Sequence, residues 1–367
     1  LAIQIDSQLT FLERTLGVFL TALLVGTTLS ALARLYVTSE PNPIGDGVEY
    51  AAMAIDPFNF EDGRPLRHRI LTPLIAHYTY EVPFFPRQNF ILCLNFIGVL
   101  FLGLIYIAAR QERLTPTTSV MAVGVMSFSA PLLFSIHCAG YTDITSYVLL
   151  FMTMRAVRNN LVWPLTLLLA LLNNENNLFV FPWFLLFYYL RNDRRVIRAI
   201  GAGVLMSVIV GIWYYWMQYV ASCKGSTYSL SQFFNQSLNE MITLVALTFY
   251  SGLFQAFKLF WGIPVYAIGA HIREKHFSEI CLYVLIVACA GAQIFTSSDT
   301  SRLFAMAFPA IWLGFLTLAR RWGESAFQTL MVPGFLIQLF IPQSYIAKGK
   351  EQLLYGLAMI WLLRTFF

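Results

Sequence analysis

The fold class this sequence predicts is an all-α, polytopic transmembrane helix bundle, and three observations predict it. Hydrophobic residues make up 58% of the 367 residues and charged residues 12%, against roughly 25% charged in a soluble domain. Mean hydropathy is +0.65. Apolar runs of about 17–25 residues recur along the whole chain, each long enough to cross a hydrocarbon core of about 30 Å. No stretch is left for a separate soluble domain, so residues 1–367 are expected to form one integral membrane domain of about 11–12 spans, some short and broken.

The elements follow in order. A first helix is expected near 11–36, too long for a signal peptide and lacking a small-residue cleavage site, hence a retained span. Residues 39–89 are mixed in character and are expected to form a loop with interfacial helices. Further spans are expected near 90–109, 117–137, 142–158, 161–173, 177–190, 197–220, 242–270, 279–297, 302–319, 326–342 and 351–366. The arms 161–173 and 177–190 are short for a crossing without tilt or thinning. They flank "NNENN", the most polar five residues in a long apolar stretch.

Basic residues set the orientation. They collect in alternate connections: Arg110 and Arg113; Arg155 and Arg158; Arg191, Arg194, Arg195 and Arg198; Arg273 and Lys275; Arg320 and Arg321. Arg14 and Arg364 lie near the two chain ends. Placing all of these in the cytoplasm puts both termini there and predicts twelve spans, in a membrane expected to be a bacterial inner membrane. The opposite, extracytoplasmic face then receives nearly every unusual polar motif: "IGDGVEY", "EDGRPLRHR", "HCAGYTD", "NNENN", the loop around 221–240, "TSSDTSR" and "IPQSYIAKGK".

The net charge of +5 records this topology and does not imply nucleic acid. The five cysteines are scattered, with no CxxC or Cys/His cluster, so no structural metal or disulfide framework is expected. No glycine-rich phosphate loop is present, so no nucleotide site is expected.

Each outer motif carries a chemical reading beside a plainer one. In "GDGVEYAAMA", Asp46 and Glu49 share a face if a helix starts there. Asp46 either takes a proton from an acceptor hydroxyl or caps that helix. In the first loop Arg64, Arg67, Arg69 and Arg87 stand where topology disfavours basic residues, and Arg64, Arg67, His68 and Arg69 cluster ahead of an amphipathic stretch. They suit a lipid-linked phosphate, because a guanidinium matches phosphate oxygens with a fork of donors, or lipid headgroups. Arg64, Arg67 and His68 fit one helical face. Thr142 or Asp143 caps the helix after "HCAGY", and Asp143 also suits the outer cavity, whereas His137 reads as an interfacial histidine. Glu175 in "NNENN" either lines a cavity, since irregular backbone at membrane depth survives only inside protein or beside water, or sits in an exposed hairpin. Asp299 and Arg302 pair across one helical turn or hold an anion. Lys258 snorkels or lines the cavity, and "WYYWMQY" reads as an interfacial belt.

This constellation resembles the GT-C class of polytopic membrane glycosyltransferases. "GDGVEY" is similar to the acidic motif after the first span, with Asp46 at the position of the catalytic base. "RPLRHRILTPLI" is similar to the Arg and Leu-x-Pro element of the first outer loop. "NNENNLFVFPWFLLFYYL" resembles the Lys-Glu motif and its apolar helix, with Asn174 where the Lys would stand. "SSDTSRLFAMAFP" resembles the late Asp/Arg-then-Pro segment. The resemblance implies transfer of a sugar from a polyprenyl-phosphate carrier at the extracytoplasmic face. Asp46, with Glu49 beside it, would act as base. Arg64, Arg67, Arg69 or Arg302 would hold the lipid phosphate. Glu175 and Asp143 would orient sugar or acceptor. No cofactor is implied, a divalent metal being compatible but not required; the partners are the lipid-linked sugar and membrane lipids. Two other classes stay open: a non-catalytic membrane subunit of a larger assembly, and a lipid or solute transporter built on broken helices.

Overall fold

The computed structural model describes residues 2–39, 42–60, 66–80, 90–223, 248–293, 299–347 and 350–366. It is a helical bundle. The helices are α1 (Ala2–Tyr36), α2 (Asp46–Ile55), α3 (Leu71–Tyr80), α4 (Phe90–Gln111), α5 (Pro116–Ser127), α6 (Ala130–His137), α7 (Asp143–Arg155) and α8 (Val162–Asn173). They continue with α9 (Phe181–Arg191), α10 (Val196–Ser222), α11 (248–257), α12 (Gly262–Arg273), α13 (Phe277–Ala292), α14 (Thr300–Phe304), α15 (Phe308–Trp322), α16 (Glu324–Phe340) and α17 (Leu357–Phe366). Among the described residues five helices are long and apolar enough to cross a membrane, or six counting one bent pair. The architecture is that of a multi-pass membrane protein.

Burial sorts these helices by depth. The window through α14 and α15 is 83% buried within the protein, whereas those of α1 and α10 are 22% buried. α15 is therefore the central post and α1 and α10 are peripheral. On α10 the exposed residues Val196, Ile200, Val204, Val208 and Ile212 recur every fourth position, a lipid-facing stripe. The centre is aromatic. Phe101 of α4 stands edge-on to Phe308 of α15 at 5.6 Å, and Phe151 of α7 meets Trp312 at 5.3 Å. α1 reaches α4 through small residues, since a Cβ on Gly26 would lie 2.9 Å from the Val99 carbonyl. Between helices in lipid, close backbone approach replaces the hydrophobic drive.

Two expected spans are corrected. The span expected at 117–137 is two helices, α5 and α6, bent by 47° at their junction; Ser127 and Ser129 hydroxyls bond back to Val123 and Val125 carbonyls, and Pro131 starts the next helix. The fold is all-α in class, with one small antiparallel hairpin, Ser344–Ala347 (β1) and Lys350–Leu353 (β2), in register Ser344↔Leu353. Its second strand takes up the start of the span expected at 351–366, leaving α17 only 10 residues long. β2 is the polar stretch KEQL and is exposed throughout, so only its pairing with β1, not its own pattern, marks it as a strand.

Lys258 neither snorkels nor stands free. It interrupts the 248–273 span in a 3-10 turn, Lys258–Trp261, with φ +46°. Its amine, 2% exposed, donates to the Tyr36 hydroxyl at 3.1 Å and the Ile341 carbonyl at 3.0 Å. The backbone N–H freed by the break, that of Leu259, donates to Gln338 Oε1 at 3.1 Å. A broken helix inside a bundle persists when protein groups satisfy its backbone in this way.

At the arginine-bearing end Glu112 bridges Arg155 and Arg320, tying α4 to α7 and α15. Burial pulls the Glu112 carboxyl upward, but the hydrogen bonds and charges of Arg155 and Arg320 outweigh it and hold it below its ordinary value of 4.5. A depressed carboxyl contributes stability that is present above its unfolded pKa and is lost as pH falls through the folded one. Thermal unfolding in detergent is expected to show a midpoint that drops as pH is lowered from about 5 toward 3, with a shallower drop in Glu112→Gln. Equal slopes in the two proteins would show that this bridge does not contribute.

Candidate functional site

The site is built from four segments that are far apart in sequence. The first turn of α2 seats on the 138–141 turn: the Ile44 N–H donates to the Ala139 carbonyl at 3.0 Å. A Cβ on Gly47 would lie 2.6 Å from that carbonyl and 2.8 Å from Gly140 Cα, so only glycine permits this approach. Gly45, at φ +51°, is the N-cap and makes no side-chain cap bond. The capping role expected of Asp46 is therefore not realised; Asp46 is the first helical residue. Its carboxylate is exposed. It lies within electrostatic reach of Tyr50, Tyr141 and Asp143. Glu49, one turn on, is half-buried.

The turn before α3 supplies the first charge cluster. Arg69 donates through Nε to Glu175 Oε2 at 2.7 Å and through Nη2 to Glu175 Oε1, the two-pronged geometry that makes arginine–carboxylate pairs strong. Its Nη1 donates to the hydroxyl of buried Tyr50 at 2.7 Å. His68 Nε2 lies 3.1 Å from Glu175 Oε2. Residues 66–68 form a turn, with α3 starting at Leu71. The helical face expected for Arg64, Arg67 and His68 is thus corrected: His68 and Arg69 converge, and Arg67 turns away. Arg67 is 3% exposed and donates to the Asp56 carbonyl at 2.9 Å, tying this turn to the end of α2. Arg64 and Arg87 lie outside the described residues. Trp216 of the expected belt donates its indole N–H to the His68 carbonyl at 3.1 Å.

The second cluster centres on Arg302 of α14. Its Nη1 is 3.3 Å from Asp143 Oδ2, its Nη2 is 3.0 Å from Asp299 Oδ2, and its guanidinium lies 4.4 Å over the Tyr141 ring. Arg302 Nε is shut from solvent and has no hydrogen-bond partner among the described residues. Tyr345 of β1 hydrogen-bonds Asp299. The two clusters belong together, because Asp143 is within electrostatic reach of Arg302, Arg69, Asp299 and Asp46 at once.

The asparagines around Glu175 serve the backbone. Asn173 Nδ2 donates to the Thr142 carbonyl at 2.9 Å and to Ser146 Oγ at 2.8 Å. Asn177 Nδ2 donates to the Ala170 carbonyl at 2.9 Å and the Asn174 carbonyl at 2.8 Å. Asn174 accepts from the Asn176 N–H at 3.0 Å. These bonds satisfy the break between α8 and the 3-10 turn Glu175–Val180 and leave Glu175 turned toward the first loop. Asn173, Asn174 and Asn177 are buried, so "NNENN" is not a water-exposed hairpin. His137 is likewise buried, its Nδ1 3.3 Å from Thr38 Oγ1.

All the described candidate residues except Arg67 thus fall in or beside two adjoining clusters. Reading of the sequence missed Tyr50, Tyr141, Asn173 and Tyr345. Tyr50 follows Asp46 by four residues on α2 and Tyr141 stands inside "HCAGYTD", so both lay within the motifs already singled out. Four carboxylates (Asp46, Asp143, Glu175, Asp299) face two guanidiniums and one imidazole. Both arginines contact carboxylates, so an anion entering here competes with those carboxylates for the guanidiniums. No protein-family model matches this chain, and no curated protein matches it either.

Removing one partner of a desolvated ion pair strands the other charge, at a cost of about 3 kcal/mol or more when buried. Glu175 is 26% exposed and Arg69 15%, so Glu175→Ala is expected to cost about 2–3 kcal/mol. Arg69→Met combined with Glu175→Leu is expected to recover most of that loss. Unfolding midpoints of the two single variants and the double variant check this; additive losses would show that the pair is not coupled.

Proposed function

We propose that this chain is a GT-C-type membrane glycosyltransferase that moves a sugar from a polyprenyl-phosphate carrier to an acceptor hydroxyl at the extracytoplasmic face. The observation that carries the reading is the placement of Asp46. It is an exposed carboxylate at the first turn of a helix whose backbone is held by glycine contacts, and it lies within electrostatic reach of Asp143, the group that Arg302 and Arg69 also reach. A base for a hydroxyl needs access to substrate, and a departing phosphate needs fixed positive charge in a low-dielectric setting.

In the proposed reaction Asp46 accepts the acceptor O–H proton as that oxygen bonds the anomeric carbon. The carbon–oxygen bond to the carrier phosphate breaks, and its electron pair leaves with the phosphate. Arg302 and Arg69 are the cations nearest this carboxylate cluster, and each would exchange a carboxylate contact for a phosphate oxygen. Asp143, Glu175 and Asp299 hold the arginines in place until then. Glu49 is the alternative base. An orientation with the arginine-bearing connections in the cytoplasm belongs to the same proposal, since it puts all of these groups on the outer face.

The full pairing of Arg69 favours one other reading, a non-catalytic membrane subunit in which the clusters serve as struts. Proteoliposomes offered labelled polyprenyl-phosphate sugars, with cell-envelope lipids as acceptor, separate the two. Transfer by the natural protein is expected, with a loss of about 10²–10⁴-fold in Asp46→Asn at an unchanged unfolding midpoint. Equal transfer by both would move the base to Glu49. Absence of transfer from every carrier by the folded protein would favour the subunit.

A further inference from the structure

A second group of chemically able side chains lies at the far end of α13 from Arg302, about 24 Å along the helix by the rise of 1.5 Å per residue. His271, Glu274 and His276 each offer a donor atom, and the three atoms lie within 4.8 Å of one another. We propose that these three residues bind a divalent first-row transition ion of the zinc class.

The backbone brings them together. α12 ends in a reversal in which the His276 N–H donates to the His271 carbonyl at 2.9 Å and the Lys275 N–H donates to the Ile272 carbonyl at 3.1 Å. These are the paired bonds of a Schellman helix end, which puts the residue two past the cap beside the residue three positions inside the helix. Those two positions ordinarily make an apolar contact. Here both are histidines, with ring centroids 5.9 Å apart. The position between them that favours glycine is Lys275, at φ +58°, so the turn keeps this shape with a residue that resists it.

The donor chemistry fits. Imidazole nitrogen and carboxylate oxygen are the ligands zinc takes, and three protein ligands leave a fourth position for water. His271 Nδ1 is shut from solvent and has no hydrogen-bond partner among the described residues, a state that costs free energy unless something fills it. Glu274 already has its two oxygens in different roles. Oε1 forms an ion pair with Arg321 Nη2 at 2.9 Å, while Oε2 lies 3.4 Å from His276 Nδ1. An ion joining Oε2 to the imidazoles leaves the Arg321 bond as an outer support that orients the carboxylate. Arg321 and Lys275 oppose a cation here. Glu274 and Glu279 offset them, both within electrostatic reach of His271.

The test uses the full chain in nanodiscs, free of any affinity tag and stripped with chelator. Zn²⁺ is titrated in competition with a chromophoric chelator, and Co²⁺ reports geometry through its visible bands. One Zn²⁺ per chain is expected, with tetrahedral Co²⁺ bands. Affinity should fall by at least about 100-fold in His271→Ala and in His276→Ala and about 10-fold in Arg321→Ala, with His77→Ala unaffected. No binding by the natural chain, or equal binding by the natural chain and the His271→Ala/His276→Ala variant, overturns the proposal. Sugar transfer does not enter this readout, so the two proposals stand or fall separately.

Discussion

The bidentate bond between Arg69 and Glu175 is the constraint on which the rest of the site depends. Glu175 sits at a helix break inside the bundle, where an unpaired carboxylate is costly. Its partner comes from a loop more than a hundred residues earlier, and that loop brings α2 with it through Tyr50 and Arg67. One ion pair therefore docks the first loop, orients α2 and presents Asp46. Without it the asparagine bonds would still close the break, and the loop would be held there by neutral bonds alone, from Trp216 to the His68 carbonyl and from Thr72 to Thr145 and Asn173.

The second cluster repeats this logic with another chain segment. Arg302 begins the most buried span and is gripped by Asp143 at the start of α7 and Asp299 one turn back. Below it the aromatic packing of Phe101, Tyr147, Phe151 and Phe308 makes α4, α7 and α15 one rigid unit. The two arginines are thus fixed relative to each other by packing, and their charges are balanced by carboxylates. Such an arrangement of paired charges is self-consistent, each guanidinium being neutralised by a carboxylate that the frame positions.

The other end of the bundle works by restraint. Glu112 joins α4, α7 and α15, and Glu324 accepts from Thr115 and Thr118 at the start of α5. The sharp turn after α12 adds His271, Glu274 and His276 at the loop joining α12 to α13, a helix that leads back toward the Arg302 cluster. The two ends thus share helices while differing in chemistry: carboxylate-rich and partly open at one, arginine-rich at the other.

Composition and apolar run length by themselves determined the bundle of apolar helices, because a chain this hydrophobic can satisfy its backbone in lipid only by local hydrogen bonding. The same reading picked out Asp46, Arg69, Asp143, Glu175 and Arg302, since ionisable residues are rare enough in such a chain to stand out singly. Which of them meet was decided by tertiary structure. Helical spacing grouped Arg64, Arg67 and His68, yet the turn at 66–68 sends Arg67 to a backbone carbonyl and His68 with Arg69 to Glu175. The bend between α5 and α6, the hairpin at 344–353 and the break at Lys258 were hidden for a related reason. Each has a partner distant in sequence — Gln338 for the backbone at Phe128 and at Leu259, Ser301 for the strand at Ile346 — and periodicity within a segment carries no information about what lies across from it.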